Sequence, residues 1–94
     1  MAKKKKQPVF IHIGQQLTIE YIDAIYNELT EAFQKKVGIK METLIEEIDL
    51  TGIQLLLFTR KKAEQENIDL DLKIKYSDNV RNLLSSTGFA ELLP

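Results

Sequence analysis

Residues Ile68-Asp69-Leu70-Asp71-Leu72-Lys73-Ile74 alternate between apolar and charged side chains without a break. A period of two marks a β-strand with one dry face and one wet face. This restricts the architecture. A strand covered by helices on both sides is apolar throughout, so the sheet containing this strand leaves one face to solvent. Helices must then pack on the other face alone.

The remaining segments fit that frame. Val9, Ile11 and Ile13 alternate with Phe10 and His12, which predicts a strand after Pro8. Gly14 ends it, Gln15 and Gln16 make a polar turn, and Leu17 opens either a short strand or a helix. Thr18 is the candidate cap of a helix whose Ile22, Ile25, Tyr26, Leu29 and Phe33 recur at steps of three and four. Gly38 is its expected stop. Ile39, Met41 and Thr43 alternate with Lys40 and Glu42 as a second strand. A last helix, capped by Ser77 or Asp78, carries Val80, Leu83 and Leu84 and ends in Ser85 to Gly88. Phe89, Leu92 and Leu93 form a closing apolar clip. The order strand–helix–strand–helix–strand–helix predicts a two-layer α/β sandwich with helices on one face.

The stretch Ile48-Asp49-Leu50-Thr51-Gly52-Ile53-Gln54-Leu55-Leu56-Leu57-Phe58 reads as a loop turning into a helix that runs from about Leu50 to Glu66. Asp49 or Thr51 can cap its free N–H groups. Its first half is apolar on almost every side and must be buried or face a partner. Beyond Thr59 it becomes solvated, and Asn67 is the stop.

Composition excludes several functions. No cysteine is present, so disulfides, thiol nucleophiles and thiolate metal sites are absent. No apolar run reaches the roughly 20 residues that cross a bilayer, and with no apolar segment among the first residues a secretory signal is not expected. A soluble cytoplasmic protein is the expectation. Lys3 to Lys6 are expected to belong to a disordered basic tail over residues 1–7, before a domain over 8–94. With those four lysines set aside, the 13 basic and 14 acidic residues become 9 and 14, so the body is acidic. No aromatic residue interleaves with the lysines to stack on bases, and no nucleic-acid role is expected.

Catalytic inventories are also thin. The single histidine, His12, reads as a sheet-face residue. Glycines are scattered, so no phosphate-cradling loop exists. Glu42, Glu46, Glu47 and Asp49 cluster, but not at calcium-loop spacing; they read as a solvated acidic rim. Asp69 and Asp71 read as the wet side of a strand, and Ser85-Ser86-Thr87 as a helix terminus. No enzyme, metal or cofactor is expected.

From Lys40 onward the chain resembles a STAS domain, the module of anti-sigma factor antagonists and of sulphate-transporter tails. Ile48-Asp49-Leu50-Thr51-Gly52-Ile53 is similar to the family's Asp–Ser–Ser–Gly or Asp–Thr–Ala–Gly loop entering an apolar helix. The loop follows a strand, Ile39 to Thr43, at the family's spacing. Val80 to Leu84 through Thr87-Gly88-Phe89 to Leu92-Leu93 is similar to the family's C-terminal helix. The resemblance implies a mixed β-sheet with helices on one face and a function of docking rather than catalysis.

In that family a switch kinase phosphorylates the residue directly after the loop aspartate. Here that residue is Leu50, which has no hydroxyl. The resemblance therefore implies an interaction module docking through Glu46, Glu47, Asp49, Leu50, Thr51 and Gly52, together with the exposed edge of the following helix. Its partner is expected to be a switch kinase or anti-sigma factor, the ATPase of a lipid-transporting ABC system, or a chemotaxis-type component. Two alternatives stand beside it. One is an antagonist phosphorylated on Thr51. The other is a small-ligand or nucleotide-binding domain using the same helix N-terminus.

Overall fold

The computed structural model describes residues 7–93. The expected basic tail lies outside the described residues except for Gln7, which is exposed. Five strands and three helices follow in chain order: β1 (Val9–Phe10), β2 (Gln16–Leu17), α1 (Ile22–Lys35), β3 (Ile39–Ile45), β4 (Glu47–Ile48), α2 (Leu50–Gln65), β5 (Leu70–Tyr76) and α3 (Asp78–Ser86). A short 3-10 turn, Ala90–Leu92, closes the chain. β3 is the centre of the main sheet, in the order β1-β3-β5, and β2 and β4 form a separate pair. All these pairings are parallel.

The two-layer sandwich expected from the alternation is the architecture found. Along β3, Ile39, Met41 and Ile45 are buried, whereas Lys40, Glu42 and Leu44 are exposed. β5 repeats the pattern, with Ile74 and Tyr76 buried and Asp71, Lys73 and Lys75 exposed. Phe10 and His12 share the open face. The dry face packs on Ile25, Leu29, Ala32 and Phe33 of α1, on Ile53, Leu56 and Ala63 of α2, and on Val80 and Leu84 of α3. Burying a side chain such as Leu29 or Leu84 contributes about 1.5–3 kcal/mol. The buried Thr59 hydroxyl costs little, because it donates to the Leu55 carbonyl one turn back at 2.7 Å.

Four expectations needed adjustment. β1 pairs over only Val9–Phe10, although Ile11 and Ile13 still turn inward and Ile11 N–H reaches the Lys40 carbonyl at 2.9 Å. Thr18 does not cap α1. Its carbonyl closes a turn with Tyr21 N–H at 2.9 Å, and the helix begins at Ile22 without a side-chain cap. Tyr26 and Leu83 sit at the margins of their helix stripes and are exposed; Tyr26 stacks on Phe58 with ring centroids 5.8 Å apart.

The fourth adjustment concerns how α1 ends. Gly38 is not the stop; Lys36 is, with φ 54°. Lys36 N–H donates to the Phe33 carbonyl, and Val37 N–H to the Ala32 carbonyl. This is the paired-bond terminus that normally carries glycine at the left-handed position. α2 ends the same way through Asn67 (φ 54°), and α3 ends at Gly88 (φ 85°) with Phe89 N–H donating to the Leu84 carbonyl. Asn67 and Gly88 tolerate that conformation, whereas a lysine there pays a steric cost of about 1–2 kcal/mol. Lys36→Gly should therefore raise unfolding stability in urea by about 0.5–1 kcal/mol, part of the gain being offset by the lost cation at the helix C-terminus. A loss of stability would contradict this reading of the terminus.

Candidate functional site

The chain between β3 and α2 is held in place mainly by backbone bonds to the segment before α1. Glu46 and Glu47 N–H groups both donate to the Gln15 carbonyl, at 2.8 and 3.2 Å. Gln16 then pairs with Glu47 and Leu17 with Ile48. Asp49 follows and begins the helix. Its backbone is extended, and its side chain is the cap.

The Asp49 carboxylate makes three side-chain hydrogen bonds. Oδ1 accepts from Gly52 N–H at 3.0 Å and from the Thr51 hydroxyl at 2.5 Å. Oδ2 accepts from Ile19 N–H at 2.9 Å, thirty positions earlier in the chain. One carboxylate thus caps α2 and ties down the loop leading to α1. The Thr51 hydroxyl, and then the backbone N–H groups of Ile19, Gly52 and Thr51, hold this carboxyl below the ordinary aspartate value, against the opposing effect of burial.

Gly52 is required by a close approach. A Cβ there would lie 2.1 Å from the Leu17 carbonyl oxygen and 2.9 Å from Ile48 Cγ1. The first turn of α2 is pressed against both strands of the small sheet, and only a residue without a side chain fits. The apolar run behind it is buried at Ile53, Leu55 and Leu56, half-buried at Leu57 and exposed at Phe58.

The structure brings together most of the residues singled out in the sequence. Glu46 and Glu47 are exposed, Asp49 and Thr51 are half-buried, and Gly52 is buried. Leu50 is 59% exposed at the first position of α2. Between the two capping candidates, Asp49 is the cap, and Thr51 supports it. Glu42 does not join the cluster as a ligand; it lies on the open face of β3. Among the described residues, no group of acidic or histidine side chains is placed to hold a metal ion.

Two residues were missed. Ile19 is 67% exposed and Tyr21 is 48% exposed, both in the turn that Asp49 anchors. Their spacing hid them: Ile19 lies three residues before Ile22 and Tyr21 four before Ile25, as stripe residues would, but α1 begins only at Ile22 and leaves both in the turn ahead of it. Beside this turn, a cleft of about 510 Å³ is lined by His12, Gln15, Tyr21, Ile25, Glu46 and Glu47. No helix among the described residues is long and apolar enough to cross a membrane.

Comparison of the chain with protein-family models, with curated proteins and with solved structures found no match.

Two outcomes follow from this geometry. Gly52→Ala forces α2 away from β2 and should destabilise the domain by about 3 kcal/mol in urea; a near-neutral effect would mean that the helix start is not pinned. The lowered Asp49 value also has a pH signature. A carboxyl depressed on folding adds stability above its unfolded value, 3.8, and that stability is lost as pH falls through the folded value. Asp49→Asn should therefore be less stable than wild type at pH 6, and the gap should close as pH falls below 3.8. A gap that persists unchanged at lower pH would contradict the role of the charge.

Proposed function

We propose that this chain is a non-catalytic docking module of the STAS type, which engages a protein partner through the start of α2. The observation that carries the reading is Leu50, exposed at 59% on a helix start whose backbone is pinned on both sides. A large apolar side chain on a rigid, outward-facing turn favours association because little ordering is needed on binding. Ile19 and Tyr21 extend the apolar surface, and Glu46 and Glu47 supply a charged rim. An apolar centre with a polar border is the usual anatomy of a partner surface.

Two features favour this reading over its alternatives. The Thr51 hydroxyl is half-buried and committed to Asp49, so a kinase would have to break that bond. A phosphate on Thr51 would then lie beside a carboxylate of like charge. A nucleotide or phosphate ligand is disfavoured as well. Asp49 already occupies the Gly52 N–H, and Glu46 and Glu47 make the surroundings acidic. A partner of the switch-kinase, anti-sigma-factor or ABC-ATPase kind is the occupant that the resemblance implies.

Leu50→Asp tests the proposal. It places a charge where a closed interface must desolvate it, yet an acidic residue at a helix N-terminus is tolerated or favoured by about 0.3–1 kcal/mol. Affinity for the partner identified by native co-purification should fall at least about tenfold, roughly 1.4 kcal/mol, while the melting temperature holds. Unchanged affinity with retained stability would remove this surface from the docking account. Phosphate found on Thr51 after incubation with a switch kinase and ATP would favour the phospho-switched alternative.

A further inference from the structure

β5 lies at the edge of the main sheet and pairs with β3 without interruption, from Ile39 against Leu70 to Ile45 against Tyr76. Ile39 N–H donates to the Asp69 carbonyl and Ser77 N–H to the Ile45 carbonyl, both at 2.9 Å. The odd-numbered residues of this strand therefore point their backbone groups at β3. By the alternation of a strand, the N–H and C=O groups of Leu70, Leu72, Ile74 and Tyr76 point the other way. No strand among the described residues pairs with that side. The edge has no proline and no bulge, two of the devices that usually block pairing. Beneath it runs a groove of about 540 Å³ whose lining includes Leu56, Arg60 and Ala63 of α2 and Leu70, Leu72 and Ile74 of β5. Leu70 and Leu72 are only half-buried against it.

The order of charges along this edge specifies an occupant. Asp69, Asp71, Lys73 and Lys75 are all exposed. Two acids precede Leu72 and two bases follow it, at equal spacing on each side. Asp71, Lys73 and Lys75 make no ion pair among the described residues. We propose that two copies of this chain join through β5, antiparallel, about a two-fold axis through Leu72, to form one continuous sheet. This association is independent of docking at α2.

The register follows from backbone geometry and charge together. An axis lying between two residues would set an outward-facing residue against an inward-facing one, so it must pass through a residue. An axis through Asp71 or Lys73 sets that residue against its own copy. An axis through Leu70 opposes Asp69 to Asp71, and one through Ile74 opposes Lys73 to Lys75. A parallel arrangement sets like beside like. With the axis through Leu72, Asp71 faces the second copy's Lys73 and Asp69 faces its Lys75, and both pairs recur by symmetry. On the other face Leu72 meets Leu72 and Leu70 meets Ile74, closing the groove. These pairs are the hydrogen-bonded ones, because the even-numbered residues carry the free backbone groups. The patch is self-complementary, as a two-fold interface requires.

Sedimentation velocity over a concentration series up to about 100 µM, suited to a small interface, tests the proposal with the full chain. Wild type should show a monomer–dimer equilibrium. Asp71→Lys and Lys73→Asp each set like charges opposite one another twice, and each should weaken self-association about tenfold or more. Mixed together, the two variants restore opposite charges at both positions, and the mixture should dimerise to within about threefold of wild type. That recovery cannot come from misfolding of either variant. In the wild-type dimer the amides of Leu70, Leu72 and Ile74 should gain protection from hydrogen exchange with rising concentration. A wild type that stays monomeric throughout would overturn the proposal. So would a dimer that either single variant leaves intact, or a mixture that associates no better than its components.

Discussion

The Asp49 carboxylate ties the start of α2 to the turn before α1, at the end of the β2–β4 pairing that brings the two segments side by side. One oxygen satisfies the first turn of α2 and the other fixes Ile19, ahead of α1. N-capping alone is worth about 0.5–2 kcal/mol. The long-range bond adds orientation, because the helix and the turn must come to the same carboxylate. Gly52 completes the arrangement by letting the helix start touch the Leu17 carbonyl. The proposed docking surface draws on that arrangement: Leu50, Ile19 and Tyr21 are exposed on backbone that the Asp49 carboxylate holds on both sides.

Much of the fold was legible in the sequence, for identifiable reasons. The Ile68–Ile74 alternation specified the open sheet face because a period of two has no alternative reading at that length. α2 was placed almost to the residue because its cap and its stop, Asp49 and Asn67, are residue types with a physical preference for those positions. The start of α1 was misplaced because Thr18 has capping chemistry but spends its carbonyl on a turn. Its end was misplaced because Lys36 adopts a conformation that its side chain disfavours. Of the small β2–β4 sheet only a short strand at Leu17 was offered, as one of two readings, since strands as short as Gln16–Leu17 and Glu47–Ile48 leave no periodicity.

The candidate site was legible in part. The loop residues were identified by their order, but the contribution of Ile19 depends on a contact across thirty positions, which no local pattern encodes. Asp49 was one of two capping candidates, with Thr51, whereas its second function as a long-range tie shows only in the folded chain. The edge of β5 shows the converse. Its charges were read as a wet face, and only the direction of its backbone groups shows that they lie along an unpaired border. The two surfaces differ in character: one is a rigid apolar turn, the other a strand edge with ordered charges.

Beyond the β2–β4 pairing, one carboxylate fixes both the first turn of α2 and the Ile19 turn before α1. Amide hydrogen exchange, resolved by residue, tests it most directly. In wild type, Ile19 and Gly52 should both exchange slowly, although Ile19 lies on an exposed turn. In Asp49→Ala both should accelerate together while the amides of Met41 and Leu29 in the core stay protected. An Ile19 amide that exchanges freely in wild type, or one that remains protected after the carboxylate is removed, would contradict the account.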